Sequence, residues 1–183
     1  HHGVSPLRDL NVGMVTQFCL DYMHLICIGV TRRLICLWMR GPLHCRLSAG
    51  ILNQISERLI HLRHFMPLEF ARRPRTLLEV DRWKATELRQ FLLYSGPVAL
   101  RGLLTNDMYQ HFLLLSFSIY CCVNPNLCIY YSEFVQSALV KFVNLASAIY
   151  GRDILVYNVH SLVHIVDDVR LYGNLDNISS FPY

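Results

Sequence analysis

The chain predicts a mostly helical single unit with a small β element at its start, and three observations carry that prediction. Apolar residues recur at helical spacing over most of the length. Pro, Gly and Asn interrupt them at intervals suited to helix ends. One short, partly β-branched apolar run, Met14–Leu20, stands apart near the N-terminus. With 183 residues, 53% of them apolar and only 16% charged, and a mean hydropathy of +0.30, the composition is that of a densely buried domain rather than a disordered tail.

Taken in order, residues 1–13 read as an irregular lead-in, with turn signals at Gly3, Ser5-Pro6 and Asn11-Val12-Gly13. Met14–Leu20 suits a short buried strand that ends at Asp21. From Tyr22 a helix is expected, with Met23, Leu25, Ile26, Val30, Leu34, Leu37 and Trp38 on one side and Arg32, Arg33 and Arg40 on the other. Ser48 is placed to cap a helix reaching Phe65, striped by Ile51, Ile55, Leu59 and Leu62, and Pro67 ends it. A Pro/Arg-rich connection, Pro67–Arg75, leads to a helix over Arg82–Ser95 that Gly96-Pro97 is expected to stop, with Pro97 opening a short helix to Leu104. Asn106 is expected to cap an apolar helix over 107–123. Ser132 should cap one to Tyr150, closed by Gly151, and Asn158 should begin a last helix ending near Gly173. No repeat or interdomain linker interrupts this series.

Composition also excludes some classes of function. The most membrane-like stretch, Phe112–Val123, is about twelve residues long, against roughly twenty for a spanning helix, so a buried core helix is expected and no membrane partner. No basic stretch followed by an apolar run opens the chain, so no signal peptide is expected. Both ends read as cut: the start is His1-His2-Gly3 without an initiator Met, and the finish is Ser179-Ser180-Phe181-Pro182-Tyr183 without a helix ending. Seven cysteines, odd in number and without a CxxC pair, suit reduced core thiols inside the cell. The net charge is +4 and the pI about 8.7. The positive charge concentrates between Arg58 and Arg89, where Arg72-Arg73-Pro74-Arg75 is the densest cluster and the best candidate for contacts to a phosphate backbone; acidic residues dilute the rest.

Three constellations could carry chemistry. Asp21-Tyr22-Met23-His24 puts a carboxylate where a buried strand meets a helix, a costly place for an unpaired acid; Asp21 is there either to bind metal or to cap the helix. His160, His164 and Asp168, at i, i+4, i+8, share a helix face, and two His at that spacing can grip zinc. The His160–His164 segment lacks the Glu that a metalloprotease would use as base, so locally bonded histidines are the plainer reading. Trp83-Lys84-Ala85-Thr86-Glu87 with Arg89 suits either a nucleic-acid surface or an amphipathic helix anchored by Trp83.

The order of these motifs adds more than any one of them. His2–Leu7, then Leu20-Asp21-Tyr22-Met23-His24-Leu25, then Gly29-Val30 with Arg32-Arg33-Leu34 begin one long signature. Pro67–Phe70, Arg72–Arg75, Trp83–Glu87 and Arg89–Tyr94 continue it, and Asn158–His164 with Asp167-Asp168-Val169 closes it. As an ordered set this resembles animal transposase-domain proteins distantly similar to the transposases of plant CACTA elements, over essentially the whole chain.

The resemblance implies an internal piece of a DDE/D transposase catalytic core: an RNase H-like α/β fold interrupted by a large helical insertion. Residues 1–29 would then be the core segment bearing Asp21, 30–155 the insertion and 156–183 the return to the core. It implies two-metal cleavage and strand transfer on DNA with Mg²⁺ or Mn²⁺, a nuclear location, transposon-end DNA as partner, a possible homo-oligomer and no small-molecule substrate. Asp21 becomes the second acidic ligand, with His24, His160, His164 and Asp168 as accessories and Arg72, Arg73, Arg75, Lys84 and Arg89 on the DNA. The first acid is expected upstream of His1 and the last directly after Tyr183, with Asp167, Asp168 and Asp176 as weaker candidates inside the chain. One carboxylate cannot hold two divalent ions, so the piece alone is expected to be inactive and metal-free. A descendant that binds DNA or protein without catalysis is the second expectation, and a zinc-binding helical domain on His160 and His164 the third.

Overall fold

A computed structural model describes residues 18–181, and within them the chain is mainly helical. The lead-in and residues 14–17 of the expected strand lie outside the described residues. The remainder of that run, Phe18–Leu20, is irregular, and no strand occurs among the described residues.

The first helical stretch opens at Asp21 and runs unbroken to Arg40, but its first part, Met23–Thr31, is wound as a π-helix before the regular helix α1 (Arg32–Arg40). π-winding occurs mostly as short bulges where a neighbour intrudes on the ladder. The neighbour here is Asn158, whose amide occupies the space that a side chain at Gly29 would need. Ser48 caps α2 (Ala49–Leu62) through a 3.3 Å bond from the Ile51 amide, as expected. Its buried stripe centres on Leu52, Ile55 and Leu59, with Ile51 and Leu62 at the edge of the stripe.

Gly96-Pro97 does not stop the next helix. After α3 (Ala85–Gln90) the chain widens into π-turns over Phe91–Ser95 and passes directly into α4 (Gly96–Leu100). The Gly96 amide donates to Phe91, five residues back, and Pro97 in that register would leave the Leu92 carbonyl bare. Ser116 Oγ fills the gap at 2.7 Å. Thr105, one residue before the expected Asn106, caps α5 (Asn106–Val123). α6 (Ser132–Tyr150) begins at Ser132 without a side-chain cap and ends at Gly151, whose φ of 86° explains the glycine. The expected last helix is broken into α7 (Tyr157–His160), a 3₁₀ segment (Ser161–His164) and α8 (Ile165–Tyr172).

α5 and α6 pack side by side. Trp38, Phe91, Phe112, Phe142 and Tyr150 fill the core between them and the N-terminal helices, with Trp38 and Phe91 each 5.8 Å from the Phe112 ring. No helix among the described residues is long and apolar enough to cross a membrane. All seven cysteines are free thiols, and burial pushes those of Cys27 and Cys122 up to about 12, where they stay protonated.

Candidate functional site

Asp21 sits where the helical body begins, and four donors converge on its carboxylate. Oδ1 accepts from the Ser180 amide at 2.9 Å and more weakly from the Met23 amide at 3.4 Å. Oδ2 accepts from the His24 amide at 3.1 Å and pairs with His24 Nδ1. Asp21 therefore does cap the helix that follows it. Burial works to raise its pKa, but the Ser180 amide, the His24 ring and amide and the Ser180 hydroxyl together outweigh burial and hold the carboxyl below its ordinary value. The side chain is one quarter exposed, beside a His24 that is 65% exposed.

Residues far apart in sequence meet at this point. Asp168, half-buried on α8, accepts the Leu20 amide through Oδ2 at 2.7 Å, so two expected carboxylates flank the same few residues. Phe181 lays its ring against Tyr22 at 5.6 Å. Arg89, from α3, pairs with Asp176 at 2.8 Å and holds its guanidinium 5.9 Å above the Phe181 ring. The start of the helical body, its last segment and α3 are thereby tied together around Asp21.

The other expected site residues divide. His160 and His164 are exposed, with ring centroids 5.9 Å apart, and no group of three metal-binding side chains occurs among the described residues. Asp167 pairs with Arg170 at 3.5 Å. Arg75 is held between Glu79 and Glu87, with Nε 2.8 Å from Glu79 and Nη1 3.6 Å from the buried Glu87. Glu87 also accepts the Lys84 amide at 2.7 Å, opening α3. Trp83 is buried and donates to the Thr76 carbonyl at 3.2 Å, so it is a core anchor. Arg72, Arg73 and Lys84 are exposed, and their side chains form no ion pair among the described residues.

The residues present do not by themselves form a divalent-cation site. A carboxylate offers about four acceptor positions, and on Asp21 four donors use them; Asp168 adds one more oxygen that is partly committed to Leu20. Sequence reasoning does not find Ser180, because its amide and hydroxyl reach Asp21 only across 159 residues of chain. It also passes over Phe70 and Tyr94, whose rings meet at 5.2 Å beside Arg72; an aromatic at each end of a basic stretch was the available signal. No protein-family model, no curated protein and no solved structure matches this chain.

Proposed function

We propose that this chain is the Asp21-bearing part of a DNA transposase catalytic core, with residues 30–155 as a helical insertion in an RNase H-like fold and a parent protein that works on DNA in the nucleus. The observation that carries the reading is the closure at Asp21. Leu20 is held by Asp168 and Asp21 by Ser180, so the helical body leaves and rejoins the chain at one place, as an insertion must. The reading is further supported by the Asp21 and Asp168 carboxylates lying at that closure and by Arg72 and Arg73 on the Pro67–Arg75 connection, which form no ion pair among the described residues. Mg²⁺ or Mn²⁺ would have to be held mainly by acids of the complete domain, with Asp21 contributing after release of His24 or Ser180; the isolated chain is expected to cleave nothing.

The test is metal-dependent nicking and strand transfer by a longer protein extended at both ends, with Asp21→Asn beside the parent. Asn keeps the helix cap but loses the charge a divalent ion requires. Loss of activity in a well-folded Asp21→Asn protein supports the reading. Undiminished activity removes Asp21 from the chemistry. A folded extended protein that binds DNA without cleaving it supports a second reading, a transposase-derived binding module; the full occupancy of Asp21 by capping donors favours that one.

A further inference from the structure

A recess of about 320 Å³ opens between the Pro67–Arg75 connection and the α3 helix with its π-turns, and its walls carry aromatic, amide, acidic and basic side chains together. That size is near the lower end of ligand pockets, which run roughly 300–1,000 Å³. Tyr94 is 39% exposed and is steadied by Phe70, whose ring stands almost perpendicular to it at 5.2 Å, so one aromatic surface is both fixed and accessible. Gln90 is buried, with its carbonyl taken by Ser95 Oγ at 3.1 Å; among the described residues its amide has no acceptor better than the Met66 sulfur at 3.5 Å. That leaves a strong N–H donor at the recess wall with only a weak partner. Glu69 on the rim is exposed and, among the described residues, unpaired, an acceptor of the kind that reads an exocyclic amine of a base. Arg72, likewise without an ion-pair partner among the described residues, is the cation placed to take a phosphate.

We infer that this recess binds one unpaired base of a single-stranded nucleic acid, stacking it on Tyr94, presenting Gln90 and Glu69 to its edge and holding the adjoining phosphate with Arg72. A base inside a duplex cannot enter a recess, because its face is covered by its neighbours and its edge by its partner; an unpaired base can. Arg89 lines the same recess and, through Asp176 and Phe181, reaches the segment whose Ser180 amide holds Asp21. The inference thus deepens the proposed function by giving the substrate an unpaired strand on the side of α3 that is tied to the Asp21 closure, and it rests on that reading only in taking the polymer to be DNA.

The test is fluorescence anisotropy of the 183-residue chain with a short labelled DNA single strand and with its duplex. Chelator is present, so that no chemistry can contribute. The single strand should bind more tightly than the duplex. Tyr94→Ala should weaken it about ten-fold and Tyr94→Phe should restore it, as stacking on one aromatic ring requires. Arg72→Ala should weaken binding and lower the salt slope by about 0.7, the value of one phosphate contact on a single strand. Lys141→Ala, the same loss of charge on α6, should leave binding unchanged. Duplex binding as tight as single-strand binding would overturn the inference, and so would an Arg72→Ala protein that binds as the parent does. Cleavage by the extended protein with no such binding sinks the recess and spares the transposase reading; binding without cleavage does the reverse.

Discussion

Asp21 and His111 show how much a single side chain's surroundings decide. On Asp21 every donor favours the ionised form, so its contribution to stability is present above its ordinary carboxyl range and is lost as pH falls through its lowered value. His111 is the opposite case, a base kept neutral. It is 1% exposed, lies flat on the Phe142 ring at 3.9 Å and bonds the Phe142 carbonyl through Nε2 at 2.9 Å, which leaves Nδ1 buried without a partner among the described residues. Burial pushes its pKa from 6.5 down to about 4, against the pull of that carbonyl. The unfolded chain therefore takes up the proton first. Stability should be constant above about pH 6.5 and fall by up to about 3 kcal/mol as pH drops toward 4. Urea unfolding at the two ends of that window measures it, and His111→Phe, which keeps the stacking and removes the titration, should flatten the curve.

Among the elements, the join of α3 to α4 tests how the fold tolerates proline inside a helix. Ser116 on α5 donates to the Leu92 carbonyl that Pro97 cannot serve, so Ser116→Ala should leave a buried acceptor unpaired and cost about 1–3 kcal/mol in chemical unfolding. Pro97→Ala supplies an amide in the same register, and the double variant should lose less than Ser116→Ala alone; strict additivity would refute the pairing. This join also marks the boundary of what the sequence discloses. The cap at Ser48 and the helix end at Gly151 were legible, because each depends on residues within one turn of itself. So was the mainly helical class, from the spacing of apolar residues. The π-turns were not: one lies where Asn158 occupies the space beside Gly29, the other where Phe112 fills the place of a side chain at Gly96. The site divides in the same way. Asp21 stands out in the sequence as an acid at an element boundary. The burden on Arg75, held by Glu79 and Glu87, and the approach of Ser180 depend on tertiary neighbours that no local pattern names.

For the whole molecule the decisive feature is the closure of a long helical body on itself at Leu20-Asp21. Two backbone amides are held across it, that of Leu20 by Asp168 and that of Ser180 by Asp21, and an edge-on aromatic pair, Tyr22 with Phe181, lies against them. None of these is central to the packing of α5 on α6, which rests on its own buried aromatic core. The molecule should therefore open from the closure before it loses its centre, since local stability follows local buried contacts. Asp168→Ala removes a charged acceptor from a partly buried amide, a loss of about 1.5–3 kcal/mol. Amide hydrogen exchange should consequently speed up at Leu20 and through the π-wound segment Met23–Thr31 while the middle of α5 keeps its protection. Uniform acceleration across both regions would mean that closure and core are one cooperative unit. In that case the helical body could not behave as an insertion that holds its own structure, and the closure would no longer support the proposed function.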